Sequence, residues 1–121
     1  MYQARLSFTD DEQLGIDVFV TQTFRERNRG LFALAQLQCA QGLLITPCRS
    51  VHTFGMGYAI DLVYLNRDFQ IVKLVHDMGP NRMSLALCAK MTLELKAGEI
   101  KRLQLTNGQQ GQLQQTAGRE T

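Results

Sequence analysis

The chain has no long hydrophobic run. Its longest apolar stretches, "GLLI", "LVYL" and "SLALCA", fall far short of the roughly 20 residues that a membrane-spanning helix needs. The start, "MYQARLSFTDDEQLG", is polar and acidic, and it lacks both the apolar region and the cleavage site of a secretory signal. We therefore predict no contact with a membrane.

The cysteine content does not support a disulfide framework. Cys39, Cys48 and Cys88 are an odd number of cysteines, and no two of them form a CxxC pair. Unpaired cysteines at irregular spacing are typical of a reducing compartment. We predict a cytoplasmic protein.

An excess of positive charge is also missing. The 13 Lys and Arg residues stand against 11 Asp and Glu residues, which leaves a formal charge of only +2. A nucleic-acid surface needs Lys and Arg to dominate one face. We interpret the basic run "RERNR" at 25–29 as a solvated helix face, and we predict no nucleic-acid partner.

The patterns that are present indicate a single domain. The 121 residues, 45% of them hydrophobic, are enough to bury one ordinary core. "GIDVFVTQ" at 15–22 alternates apolar and polar residues, as a half-buried strand does. "TFRERNRG" predicts a short helix, with Thr23 as its cap, Glu26 in the capping-box position and Gly30 at its end.

The middle of the chain predicts antiparallel β-structure. Five short runs rich in β-branched and aromatic residues lie between 43 and 96: "LLIT", "VHTF", "AIDLVYLN", "FQIVKLVHD" and "KMTLELK". "NRD" predicts the turn of a hairpin, and "KAGEIKR" predicts one turn of helix before a last strand at "GQLQ". The side chains that we expect to be largely buried are Leu44, Val63, Leu65, Val72, Leu74, Leu93 and Leu95.

These elements predict the domain organisation. Residues 1–15 form a lead-in that carries at most one strand, at "QARLSF", and residues 16–115 form one β-rich domain. Residues 116–121 are polar and lack aromatic side chains, so we expect a frayed tail.

The motifs resemble a known family. "TFRERNRGLF", "GLLITPCRSVHTFGMGYAIDLVYLN", "TLELKAGE" and "LTNGQQ" follow one another in the order and spacing of the domain-of-unknown-function family 192 of bacteria and archaea. The central block resembles the branch that reads P-C-x-x-[IV]-H-T-F-G-M-x-[FY]-x-I-D-[VL]-V-[FY]-L. The resemblance covers about residues 16–113. It implies a small β-sandwich or flattened barrel with jelly-roll-like character, plus one or two short helices, and it implies no particular reaction.

The chain departs from that family pattern at three positions. Gly57 stands where an Arg is usual, Ala59 where a Pro is usual, and Gln109 where an Asp follows the glycine. If the usual Arg binds an anion, that role does not transfer to this chain. The missing Asp similarly removes a candidate acid from the C-terminal turn.

Cys48 and His52 admit three interpretations. As catalytic residues, Cys48 is the nucleophile, His52 its base and Asp61 the group that orients the imidazole. As metal ligands, Cys48 and His52 bind zinc together with His76 or Asp61. As structural residues, Cys48 is a small buried hydrophobe and His52 a hydrogen-bonded side chain. In an extended strand the two side chains lie roughly 13 Å apart, so we favour a structural or ligand-contacting role, and we predict no metal and no cofactor.

The same segment predicts a binding pocket. His52, Thr53, Phe54, Met56 and Tyr58 combine apolar and aromatic surface with a few polar groups, as a small-ligand pocket does, although such residues more often belong to a core. We expect a non-enzymatic binding or accessory module with a shallow pocket at "VHTFGMGY". Its partner is a small molecule, a glycan or a protein segment. The alternative is a small Cys/His hydrolase or a zinc-dependent enzyme that uses Cys48, His52 and Asp61.

Two acids stand in apolar strands. Asp61, between Ile60 and Leu62, must be paired or capped, and we predict Arg29 as its structural ion-pair partner because a guanidinium can hold a carboxylate bidentately. Glu94 lies on the face of its strand opposite Leu93 and Leu95, which favours the solvent side.

Overall fold

The structure, a computed structural model, describes residues 1–23, 26 and 36–115. A 3-10 turn at Glu12–Leu14 and a helix α1 at Glu99–Arg102 accompany the β-strands. The strands are β1 (Tyr2–Ser7), β2 (Ile16–Val20), β3 (Gln41–Ile45), β4 (Ser50–His52), β5 (Ile60–Leu65), β6 (Ile71–Met78), β7 (Met83–Leu85), β8 (Met91–Lys96) and β9 (Gln112–Gln115). The prediction of a mainly β domain with one or two short helices is confirmed. Within the described ranges, no helix is long and apolar enough to cross a membrane.

A mixed sheet and a small ribbon form the two layers. Among the described residues, seven strands pair in the order β6-β5-β8-β3-β2-β1-β9, while β4 and β7 pair only with each other. All neighbouring pairs of the large sheet are antiparallel except β2 with β3. The ribbon packs against one face of the sheet, and the sheet is not closed into a barrel within the described part of the chain.

The two faces of the sheet are both covered. Side chains alternate along a strand, so β5 sends Val63 and Leu65 to one face and Leu62 and Tyr64 to the other. The first core cluster contains Leu6, Ile16, Val18, Leu44, Val63, Leu65, Leu93, Leu95 and Ile100, among others. The second core cluster contains Leu37, Leu43, Ile45, Val51, Ile60, Leu62, Tyr64, Met78, Ala86 and Ala89.

Most of the expected core is in place. Leu44, Val63, Leu65, Leu93 and Leu95 are all buried. The prediction is wrong for Val72 and Leu74 of β6, which are only partly buried, because β6 is an edge strand of the sheet.

The local signals near the turn and the first helix are also confirmed. The Asn66 side chain accepts hydrogen bonds from the backbone of Asp68 and Gln70, which closes the turn between β5 and β6. Thr23 and Glu26 make the two reciprocal hydrogen bonds of a capping box. The body of the predicted helix lies outside the described residues.

Asp61 is satisfied by backbone donors. Its Oδ1 accepts from the N–H of Asp77 at 2.7 Å, and its Oδ2 accepts from Gly98 at 3.0 Å and Ile100 at 2.9 Å. The carboxylate is buried, so these bonds replace its lost hydration and join β5 to β6 and to the start of α1. The predicted partner, Arg29, lies outside the described residues.

Replacing Asp61 with Asn should lower the free energy of unfolding by about 1–3 kcal/mol. The amide nitrogen would face a backbone N–H donor, which leaves two donors opposed. Chemical denaturation measures the change. Asp68→Asn is the matched control, because Asp68 is exposed and its substitution should change stability by no more than about 0.5 kcal/mol. Equal midpoints for both variants would contradict a structural role for the Asp61 carboxylate.

Candidate binding site

The β4–β7 ribbon has an inner and an outer face. The strands are antiparallel, with Val51 opposite Ser84 and His52 opposite Met83. Val51 belongs to the second core cluster, so the alternation turns His52, Met83 and Leu85 away from the sheet.

Thr53 anchors the ribbon to the turn that follows β6. Its Oγ1 donates to the carbonyl of Gly79 at 2.7 Å and accepts from the N–H of Arg82 at 2.9 Å. Its backbone N–H donates to the carbonyl of Arg82, and its carbonyl accepts from Asn81. Thr53 is fully buried, and all of these bonds are internal to the fold.

Exposed apolar side chains gather on the ribbon. The rings of His52 and Phe54 stack with their centroids 5.5 Å apart. Met83 and Leu85 of β7 are 72% and 52% exposed, Leu87 in the turn after β7 is 73% exposed, and Phe54 in the turn after β4 is 51% exposed. We call these five residues the outer face.

Met56 and Tyr58 lie on the other side of the segment. Both are partly buried and pack against the second core cluster. The five residues of the predicted pocket are therefore divided: His52 and Phe54 are on the outer face, whereas Thr53, Met56 and Tyr58 point towards the interior.

The candidate catalytic and metal-binding residues are not brought together. Cys48 packs against the second core cluster, and its Sγ donates to the carbonyl of Ser50 at 3.1 Å. His52 is on the outer face, and Asp61 is on the opposite face of the sheet with its oxygens bound to backbone amides. His76 is exposed on β6. Among the described residues, no three His, Cys, Asp or Glu side chains form a group that could hold a metal.

A cleft of about 510 Å³ separates β6 from β7. Val75, Met83 and Leu85 supply apolar surface, and Lys73 and Arg82 supply positive charge. Met83 and Leu85 also belong to the outer face, so the cleft and the outer face form one continuous surface.

The solvent position expected for Glu94 is wrong, because the side chain is only 5% exposed. Glu94 lies opposite Leu43 in β3 and Leu62 in β5, and both neighbours belong to the second core cluster. The ribbon and its flanking loops cover this face. Within the described residues, no hydrogen bond or ion pair reaches the carboxylate, and burial raises the pKa of Glu94 to about 7.

Two tyrosines lie close to this acid. Burial raises the pKa of Tyr58, and the charge of Glu94 adds to the rise. Burial also raises the pKa of Tyr64, and the Ser84 side chain acts in the opposite direction and lowers it. The Tyr64 hydroxyl forms no hydrogen bond of ordinary geometry within the described part of the chain. This side of the core therefore contains unusually poorly satisfied polar groups.

Two features of the site were not predicted from the sequence, although the sequence contains a pattern that points to each. "MSLAL" at 83–87 places an apolar residue at every second position, which marks Met83, Leu85 and Leu87 as one face. The sequence runs that form β3 and β5 are apolar on both faces, which is typical of strands that are covered on both sides, but only the strand order places Glu94 between them.

The comparisons with known proteins agree with this architecture. The model of the domain-of-unknown-function family DUF192, described as "Uncharacterized ACR", matches residues 6–113. The chain therefore belongs to the DUF192 family.

Two solved structures share the fold. A protein of unknown function from Novosphingobium aromaticivorans is 14% identical with a TM-score of 0.73, over 91% of this chain and 83% of that one. A candidate transcription regulator from Sinorhizobium meliloti is 19% identical with a TM-score of 0.76, over 91% of both chains. No curated protein matches the chain. At these identities the likeness shows the fold alone.

Iodoacetamide should modify Cys39 and Cys88 faster than Cys48. Cys39 and Cys88 are exposed, whereas Cys48 is partly buried and its thiol is hydrogen-bonded. Mass spectrometry after brief labelling measures the order. A Cys48 that reacts first would instead support the nucleophile interpretation.

Glu94→Gln should remove a pH dependence of stability. Because burial raises the folded-state pKa from 4.5 to about 7, the stability linked to the proton is complete below pH 4.5 and is lost as the pH rises through 7. Wild type should lose about 2–3 kcal/mol relative to the variant between pH 5 and pH 8.

Urea denaturation at both pH values measures this difference. Glu12→Gln is the control, since Glu12 is exposed and should leave the pH dependence of wild type unchanged. The same pH dependence in wild type and Glu94→Gln would mean that the Glu94 carboxylate is solvated.

Proposed function

We propose that this protein is a non-enzymatic binding module that takes up a segment of another protein on its outer face. One observation carries the proposal: every large hydrophobic side chain that is exposed in the described part of the chain belongs to this face, namely Phe54, Met83, Leu85 and Leu87. All four lie in the ribbon or in the turns that adjoin it, and exposed apolar side chains that are concentrated in one part of a protein are characteristic of interaction sites.

Binding is favoured over hydrolysis because the chemistry of a hydrolase needs contact between its groups. Cys48 faces the core, His52 faces outward and Asp61 lies across the sheet. The positions of these side chains support recognition and offer no nucleophile–base pair.

A protein segment suits this surface better than a small molecule or a glycan. A small ligand is usually enclosed by a concave pocket, whereas the outer face is the exposed side of a two-stranded ribbon. Its side chains are apolar and include an adaptable methionine, with His52 as the polar exception. The three free cysteines support a reducing cytoplasm as its location.

Selection from a phage-displayed library of random peptides tests the proposal. We expect enriched sequences that bind the full chain and lose at least tenfold in affinity when Phe54 and Leu87 are both replaced with Asp. The two side chains are exposed, so the substitutions should leave the fold intact, which circular dichroism checks.

The matched control is the double substitution Thr106→Asp with Asn107→Asp, at exposed positions remote from the ribbon in the chain. This variant should bind like wild type. A library that yields no binder, or binders that tolerate both double substitutions equally, would contradict the proposal.

A further inference from the structure

In the part of the chain that the structure describes, two strand edges without partners border the cleft beside the ribbon. There β6 ends the seven-stranded sheet, and β7 pairs with β4 alone. Ile71 bonds to the 108–109 turn. Beyond Ile71, the backbone bonds of the described residues leave the outer edge of β6 open, and they also leave open the edge of β7 that faces away from β4.

One side chain, that of Lys73, connects β6 to β7 where backbone hydrogen bonds between the two strands are missing among the described residues. Lys73 of β6 donates from Nζ to the carbonyl of Leu85 in β7 at 2.7 Å. Among the described residues, no backbone hydrogen bond joins β6 to β7, so this side chain bridges the two strands across the cleft. The intervening cleft has a volume of about 510 Å³.

The separation is built into the fold. Residues 79–82 connect β6 to β7, and connections this short usually produce a paired hairpin. Here the residues that flank β7 are bound instead to the residues that flank β4. The Thr53 N–H donates to the Arg82 carbonyl, and the Ala86 N–H donates to the Arg49 carbonyl. The open edges therefore exist before any partner arrives, which reduces the ordering cost of binding.

We propose that this cleft accepts an extended, acidic segment of a partner protein, which adds as a strand between β6 and β7. The inference rests on the binding function proposed above and specifies its partner and mode. Main-chain hydrogen bonds to a strand edge supply affinity in this mode, and alternate side chains supply specificity.

The side chains of the cleft specify the chemistry of that segment. Among the described residues that line it, Lys73 and Arg82 stand against a single acid, Asp77, so carboxylates of the partner are favoured. No ion pair among the described residues engages the Arg82 guanidinium. Apolar lining residues such as Val75 favour an aliphatic residue at every second position of the partner.

A synthetic ten-residue peptide that alternates Val with Asp or Glu tests the inference on the full chain. We expect binding by fluorescence anisotropy that weakens as salt is raised. Amide hydrogen exchange should slow at least tenfold at residues 72–76 and 83–85. A peptide of the same composition with its acidic and apolar residues segregated, and one N-methylated at alternate positions, should each bind at least tenfold more weakly.

Arg82→Glu should reduce the affinity of the alternating peptide at least tenfold. Arg67→Glu is the matched control, because Arg67 is an exposed arginine in the turn between β5 and β6, outside the cleft, and should bind like wild type. The exchange measurement on wild type decides the question even if Arg82→Glu does not fold.

The outcomes separate this inference from the proposed function. Display-selected peptides that require Phe54 and Leu87 but leave exchange at β6 unchanged would overturn the strand-addition mode and preserve the binding module. Equal affinity of the N-methylated peptide would also overturn it. Concentration-dependent self-association of wild type that Arg82→Glu abolishes would assign the cleft to a second copy of this chain and overturn the inference.

Discussion

β7 pairs with β4 and not with β6, the strand immediately before it in the chain, and the layout of the candidate site depends on this pairing. Thr53 secures it through hydrogen bonds to the backbone of Gly79 and Arg82. The ribbon is thereby held over the second face of the sheet, which becomes interior. The same pairing turns Met83 outward and, within the described residues, leaves the edge of β6 open, so the buried core, the apolar outer face and the cleft have one cause.

The ribbon also explains why two acids in neighbouring strands behave differently. Asp61 and Glu94 are both buried, but they point to opposite faces of the sheet. The Asp61 face meets the start of α1, whose free backbone N–H groups satisfy a carboxylate. The Glu94 face meets apolar side chains of the ribbon layer, so burial there favours the protonated form. Access to donors, more than depth of burial, distinguishes a structural carboxylate from a pH-sensitive one.

The outer face and the cleft are two parts of one surface with different physical character. The outer face offers apolar contact area, whereas the cleft offers positive charge and backbone groups that no other described residue pairs with. Met83 and Leu85 belong to both, so a bound strand could place side chains on the ribbon while its backbone occupies the cleft. In strand addition, backbone contacts commonly supply affinity and side-chain contacts supply selectivity.

Local patterns in the sequence were sufficient to locate β2, β5 and β8, the turn at Asn66 and the capping box of Thr23 and Glu26. Each of these is encoded by residues a few positions apart, through period-two alternation or a side chain that bonds its own backbone. The sequence motifs also determined the family. Only the tertiary structure decided that Glu94 is buried, that Thr53 is an internal anchor and that Cys48, His52 and Asp61 are apart. Alternation tells on which face of a strand a side chain lies, but whether that face meets water depends on elements that are distant in the chain.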